Sequence, residues 1–354
     1  MTSVPQLLEG RRIVVCAGSG GVGKTTIAAA IALGMAERGL KVAVVTIDPA
    51  KRLADSLGLE ELGNEPRRVD LPVRGELWAL MLDSKRTFDA LIERLAPDPQ
   101  TRDEVLSNRI YQQLSNAVAG SQEFTAIAKL YELDQEGGFD LLVLDTPPSR
   151  NALDFLDAPR RLAGFFQGRP IKMFLRPAGL GGRILGRGTG VVFSLMERLT
   201  GVDLLHDLSV FFRALGGMID GFTERARRVG LLLSDPGTTF LIVTAPRHDP
   251  VEEAIFFHGK LRDADMPFGA LVVNRLHRAP DGDSDGELPA DLADDLARKV
   301  GTAAAELTAL AEREQASLAR LRETLGDPPT IVIPELDGEI YDVDGLALMR
   351  EHLF

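Results

Sequence analysis

The nine residues Gly18-Ser19-Gly20-Gly21-Val22-Gly23-Lys24-Thr25-Thr26 constrain this chain more than any other feature. They match the pattern GxxxxGK followed by Ser or Thr, and they lie between two segments of opposite periodicity. Before them, Arg12 to Ala17 is a β-branched run that reads as a buried parallel strand; after them, Ile27 to Arg38 is an Ala-rich run that reads as a helix. Glycines let the backbone curl with its N–H groups inward, because side chains there would block close approach and forbid positive φ. The start of the following helix adds a dipole that favours anions. Such a loop is a phosphate cradle. Gly20, Gly21, Val22 and Gly23 supply its backbone, Lys24 reaches β- and γ-phosphates, Thr25 is placed to ligand Mg²⁺, and Thr26 faces the α-phosphate.

Composition narrows the classes further. With 354 residues and 45% hydrophobic content the chain can bury a large core, as one α/β domain with an insertion or as two domains. The first residues lack an apolar signal core and no stretch of 18 uncharged apolar residues occurs, so a cytoplasmic chain without a transmembrane segment is expected. The single cysteine, Cys16, excludes an internal disulfide and a Cys-cluster zinc site, and reads as a small buried hydrophobe. Five histidines show no metal-ligand spacing, which leaves Mg²⁺ as the expected metal. A net charge of −12 argues against nucleic acid as a partner. The charge is uneven: residues 159 to 228 hold twelve basic and five acidic side chains, a local +7, leaving −19 elsewhere.

Strands alternate with helical stretches, which predicts a mostly parallel central sheet flanked by helices. The expected strands are 12–17, 41–47, 76–82, 139–145, 239–244, 268–274 and 329–333. Asp48, Asp145 and Asn274 follow or end three of them, where ligands of such sheets collect. More than ninety residues separate the fourth strand from the fifth, far beyond a normal crossover, so the nucleotide-binding core is expected in 1–151 and 234–354, with an inserted helical subdomain in 152–233. Within it Leu204, Leu208, Phe211, Leu215, Met218 and Phe222 form a helical apolar stripe that fits either subdomain core or a binding face. Residues 177–190 are too Gly-rich for regular structure. Residues 278–295 read as an acidic linker; Asp281 to Gly286 begins like a calcium loop, but Leu292 stands where a bidentate glutamate is needed. Two helices are expected near 290–325 and 343–353.

The glycine-crowded loop, Thr46-Ile47-Asp48-Pro49-Ala50-Lys51-Arg52-Leu53 and Asp145-Thr146-Pro147-Pro148-Ser149 together resemble the arsenite-pump ATPase (ArsA) and tail-anchored-protein targeting ATPase family. The resemblance covers nearly the whole chain and extends to Asn274 and to Ile333-Pro334-Glu335-Leu336. It implies a P-loop NTPase fold, ATP and Mg²⁺ as ligands, and a dimeric switch that holds a hydrophobic client or membrane-associated partner. By position, Asp48 would orient the attacking water and Asp145 would sit in the second shell of Mg²⁺; Asn274 would read the adenine and Pro334 would line its pocket.

Three departures from the family pattern bear on function. Ser19 stands where the family usually carries a lysine that reaches across a dimer, a cation of a kind worth about 10³–10⁵ in rate elsewhere. Hydrolysis is then slow, or a partner subunit supplies the cation, or Arg150 does, with Lys51 and Arg52 as alternatives. The cysteine pair that clamps eukaryotic targeting ATPases through zinc is absent, and so are the several thiolates that soft arsenite requires. The expected function is an ATP-hydrolysing dimeric switch. The rivals are a weakly catalytic subunit paired with a lysine-bearing paralogue, and the motor of an anion pump that does not use arsenite thiolates.

Overall fold

A computed structural model describes residues 3–47, 52–114, 121–147, 216–280, 294–336 and 342–354, together with Phe211, Ala214, Gly338 and Ile340. Its centre is an eight-stranded sheet of order β3-β4-β2-β5-β1-β6-β7-β8. The strands are β1 (Ile13–Gly18), β2 (Lys41–Thr46), β3 (Arg67–Val69), β4 (Glu76–Met81), β5 (Leu141–Asp145), β6 (Thr238–Thr244), β7 (Phe268–Leu276) and β8 (Thr330–Pro334). All neighbours pair in parallel except β3 with β4. All seven expected strands are present within two residues of the expected ends. The central ones are apolar on both faces: β1, β5 and β6 are buried along their whole length, as parallel strands covered on each side must be. The eighth strand, β3, was not expected. Its sequence Arg-Arg-Val has no run long enough to announce a strand, and it exists only by pairing with β4.

Helix α1 (Val4–Leu8) precedes the sheet and α2 (Lys24–Glu37) follows the glycine loop. α2 is apolar all round, Ile27 to Ala36 being buried, because it is covered on every side. One of those covers is the last helix. Among the described residues the remaining helices are α3 (Arg52–Ser56), α4 (Ser84–Leu95), α5 (Pro99–Ser107), α6 (Arg109–Leu114), α7 (Ser121–Glu136), α8 (Ile219–Leu233), α9 (His248–Asp263), α10 (Asp294–Thr324) and α11 (Val343–Leu353). The last two match the expected helices. α11 docks on the end of α2 through an ion pair of Arg350 with Glu37 and through Phe354, whose ring lies under Arg38 at 5.3 Å. Gly34 leaves room for that ring: a Cβ there would meet it at 2.4 Å.

The chain divides into two compact units, one of Met1–Met81, Gly137–Leu153 and Leu233–Phe354, the other of Leu82–Glu136 and Asp154–Leu232. Residues 82–136, which the sequence suggested for the nucleotide-binding core, thus cluster with the second unit. Most of the 152–233 insertion, the Gly-rich 177–190 and residues 281–293 of the acidic linker lie outside the described residues. So do Leu204, Leu208 and Leu215 of the apolar stripe. Its described members, Phe211, Met218 and Phe222, are buried in the core of the second unit. Phe222 stacks on Phe88 at 5.7 Å, and Phe88 on Tyr111 at 6.2 Å, while the Tyr111 hydroxyl donates to Asp89. Glu132 ties three helices together there, accepting from Arg94 at 2.6 Å and Arg225 at 2.7 Å.

For this part of the stripe the ordinary-core account holds, and it has a measurable consequence. Phe222 is 0% exposed, so Phe222→Ala should cost about 3–5 kcal/mol in denaturant unfolding. A loss below about 1 kcal/mol would mean that the ring serves a surface rather than a core.

Candidate nucleotide site

The site begins with a backbone that no other residue type could follow. β1 ends at Gly18, where an added Cβ would meet the carbonyl oxygen of Val243 in β6 at 2.0 Å. That contact is with backbone, which cannot swing aside. Gly21 has φ +77 and Gly23, the N-cap of α2, has φ +91, both in the left-handed region that glycine adopts without steric cost. A Cβ on Gly23 would also meet the side-chain amide of Asn274 at 2.4 Å. The first helical bond runs from Ile27 N to Gly23 O at 2.9 Å, so the first turn of α2 opens onto the loop with its dipole's positive end.

Asn274 sits beneath that loop. Its Nδ2 donates to Val22 O at 2.9 Å, its Oδ1 accepts from Arg275 N at 3.0 Å, and the residue is 3% exposed. The side chain that the family resemblance assigned to adenine lines the cavity and bonds the phosphate loop's backbone. Lys24 folds across the same loop, its Nζ donating to Ser19 O at 2.8 Å. Ser19 itself is buried, so its side chain does not point outward as a cross-subunit cation would have to.

A second cluster forms at the ends of β2 and β5. Asp145 Oδ2 accepts from Thr25 Oγ1 at 2.7 Å and from Thr46 Oγ1 at 2.9 Å. Asp145 is 1% exposed, and a carboxylate so placed depends on donors of this kind. Thr146 Oγ1 donates to Cys16 O at 2.9 Å, fixing the first step of the segment after β5. The thiol of Cys16 is pushed well above its usual range by burial first and by the Asp145 carboxylate second, with Lys24 acting weakly the other way.

Lys24, Thr25, Thr146 and Asn274 line a cavity of about 620 Å³ at the carboxyl edge of the sheet, and Asp145 lies behind Thr25. One part is polar, with Gly21, Gly23, Lys24, Thr25 and Thr26; another is apolar, with Pro334, Leu336 and Ile340. The residues fit a magnesium nucleotide. The loop is a cradle that a Cβ would fill, the helix start and an ammonium meet phosphate charge, and hydroxyl and carboxylate oxygens are the donors Mg²⁺ takes. Gly21, Gly23, Lys24, Thr25, Thr26, Asn274 and Pro334 are thus brought together around one cavity, with Asp145 bonded behind Thr25. Asp48, Lys51 and Arg150 lie outside the described residues; Arg52 opens α3 and lines the cavity.

Sequence reasoning missed Thr46, Thr146 and Arg275. The two threonines could have been found, since Thr46 ends a strand two residues before Asp48 and Thr146 directly follows Asp145, aspartates already singled out. Arg275 could not. It has φ +62, a conformation that costs a residue with a Cβ about 1–2 kcal/mol. It lies in a bulge where β7 advances three residues from Val273 to Leu276 while β8 advances two, from Val332 to Pro334.

Comparison with known proteins agrees with this geometry. The family model described as "anion-transporting ATPase" matches residues 11–353. The "putative arsenical pump-driving ATPase 1" of Aquifex aeolicus is 28% identical over 75% of this chain and 63% of its own length. A "putative arsenical pump-driving ATPase" of Halobacterium salinarum is 31% identical over 45% of this chain and 25% of its own length. The chain therefore spans less than two thirds of these two relatives. It spans 89% of the "ATPase get3" of Schizosaccharomyces pombe, at 24% identity over 95% of this chain.

The thiol beneath the loop provides a check of the site's packing. Cys16 must stay neutral to stay buried, so its contribution is complete below about pH 8.5 and is lost as pH rises past that value, where the unfolded thiol ionises first. In the folded chain at pH 8 it should resist iodoacetamide, and in denaturant it should react fully, both read by mass spectrometry. Native labelling at the rate of a free thiol would contradict the placement.

Proposed function

The chain belongs to the anion-transporting ATPase family, and from that premise we propose that it hydrolyses ATP and is a nucleotide-driven dimeric switch acting on a hydrophobic or membrane-associated partner. The observation that carries the reading is the bonding of Thr25 and Thr46 to one oxygen of Asp145. It joins the start of α2 to the strand ends from which residues 48–52 and 145–150 depart. A change at Thr25 is thereby felt at both segments, which is what coupling requires if nucleotide binds one state better than the other.

In this reading Mg²⁺, when bound, neutralises phosphate charge and orients the terminal phosphate. Thr25 would hold the ion, and Asp145 would stand behind it through its bond with Thr25. Lys24 exchanges its bond to Ser19 O for the β- and γ-phosphates of ATP. Asp48 orients the attacking water; Thr46, two residues earlier, is already tied to Asp145. The partner surface lies in the basic 152–233 insertion, whose local +7 over 159–228 suits an acidic protein or an anionic lipid surface. Phe211, Met218 and Phe222 belong to the core and not to that surface. Arsenite is not the cargo, because Cys16 is the only thiol and it is buried. The chain works in the cytoplasm; among the described residues no helix is long and apolar enough to cross a membrane.

Lys24→Ala should abolish ATP binding in calorimetry, since it removes the main fixed countercharge to the phosphates. Asp48→Asn should leave binding intact and lower turnover by orders of magnitude. Unchanged affinity in the first variant would remove the core of this reading, and unchanged turnover in the second would take Asp48 out of it.

Ser19 favours a second reading, a subunit with little catalysis of its own that completes a dimer with a lysine-bearing paralogue. Phosphate release separates the two. A chain slow alone and strongly activated by the paralogue supports the second reading; a fast isolated chain whose turnover drops on Arg150→Ala supports the first.

A further inference from the structure

Arg275 is adjacent to Asn274 in a strand, and consecutive strand residues ordinarily face opposite sides of the sheet. Both nevertheless line the nucleotide cavity. The cause is the bulge between β7 and β8, which takes Arg275 into the left-handed region at φ +62 and breaks the regular alternation of sides along the strand. Asn274 bonds the loop backbone through Nδ2. The Arg275 side chain is exposed, and its guanidinium has no hydrogen-bond or ion-pair partner among the described residues. A cation thus stands at the cavity at the expense of backbone strain, with no side-chain partner among the described residues.

Position in the sheet decides what it meets. The phosphate loop leaves β1, and the hydroxyl and carboxylate suited to Mg²⁺ lie between α2 and β5. β7 is two strands from β1 and three from β5, separations of about 10 and 14 Å. Its other neighbour, β8, ends in the apolar wall: Leu276 pairs with Pro334, and Glu335 N donates to Leu276 O at 3.0 Å. Arg275 therefore sits at the end of the cavity away from the terminal phosphate, opposite residues that suit a flat apolar ring.

On the reading that this cavity takes a nucleotide, we propose that Arg275 lays its planar guanidinium over the purine and so contributes nucleotide affinity, without acting on the charge that forms in phosphoryl transfer. A guanidinium offers both a cation and a plane to an aromatic face, which an ammonium does not. Because this contact is the same before and after phosphate release, its binding energy is uniform: it lowers the Kd of ATP and ADP together and leaves kcat alone.

The test compares nucleotides with a base-free phosphate chain. Arg275→Asn is the primary variant, since asparagine tolerates the left-handed backbone and keeps the bulge; Arg275→Lys keeps the charge and loses the plane. For wild type and both variants, affinities for ATP, ADP and inorganic tripolyphosphate are measured by calorimetry with Mg²⁺, and kcat at saturating ATP by phosphate release. Expected are a loss of about 3- to 30-fold for ATP and ADP alike in Arg275→Asn, incomplete rescue by lysine, and unchanged tripolyphosphate affinity and kcat. An equal loss for tripolyphosphate, or full rescue by lysine, overturns the proposal in favour of a phosphate contact; unchanged affinities overturn it in favour of a surface arginine. A wild-type chain that binds neither nucleotide sinks the nucleotide reading itself, an outcome distinct from any of these.

Discussion

The close seat of the glycine loop against two neighbouring strands is the constraint on which the rest of the structure depends. At Gly18 the backbone of β1 passes so near Val243 that a single added carbon has no room, and at Gly23 the same holds for the amide of Asn274. The loop is thereby fixed between β1, β6 and β7, which share one parallel edge. α2 then leaves the loop in a direction set by that seat and is covered on all sides, which explains why its sequence is apolar all round. The C-terminal helix closes over it at Gly34 and Glu37.

Charge is the second constraint. Removing a carboxylate from water costs several kcal/mol unless donors replace the lost solvation, and Asp145 lies beside a loop built to receive anions. Two threonine hydroxyls hold it, one on α2 at 2.7 Å and one on β2 at 2.9 Å. Such an arrangement tolerates a phosphate nearby only when a cation stands between them. The same bonds tie the start of the helix and the ends of two strands to one carboxylate oxygen.

Much of the fold was legible because the physics is local. Parallel strands buried on both faces read as continuous apolar runs, and the phosphate loop carries its glycines where the curl needs them. What escaped the sequence is long-range. The reason for Gly18 lies more than two hundred residues away in Val243, and β3 exists only through β4. Helical periodicity also does not say what a helix packs against. Residues 82–136 read as part of the core and cluster with the other unit, and the stripe through Phe211, Met218 and Phe222 fitted core and binding face equally until the aromatic stack of Phe88 and Phe222 decided it. Arg275 was invisible for a related reason, since neither a bulge nor a positive φ leaves a trace in a residue that is not glycine.

The central claim is that this loop, with Thr25 and Asp145, forms a magnesium-dependent ATP site. It is tested most directly by phosphate release from ATP with the purified chain across a range of Mg²⁺, alongside nucleotide affinity under the same conditions. The account predicts saturable ATP binding and a release rate that rises with Mg²⁺ and vanishes in excess chelator. No saturable binding of ATP at any Mg²⁺ concentration, or release indifferent to the chelator, would contradict it.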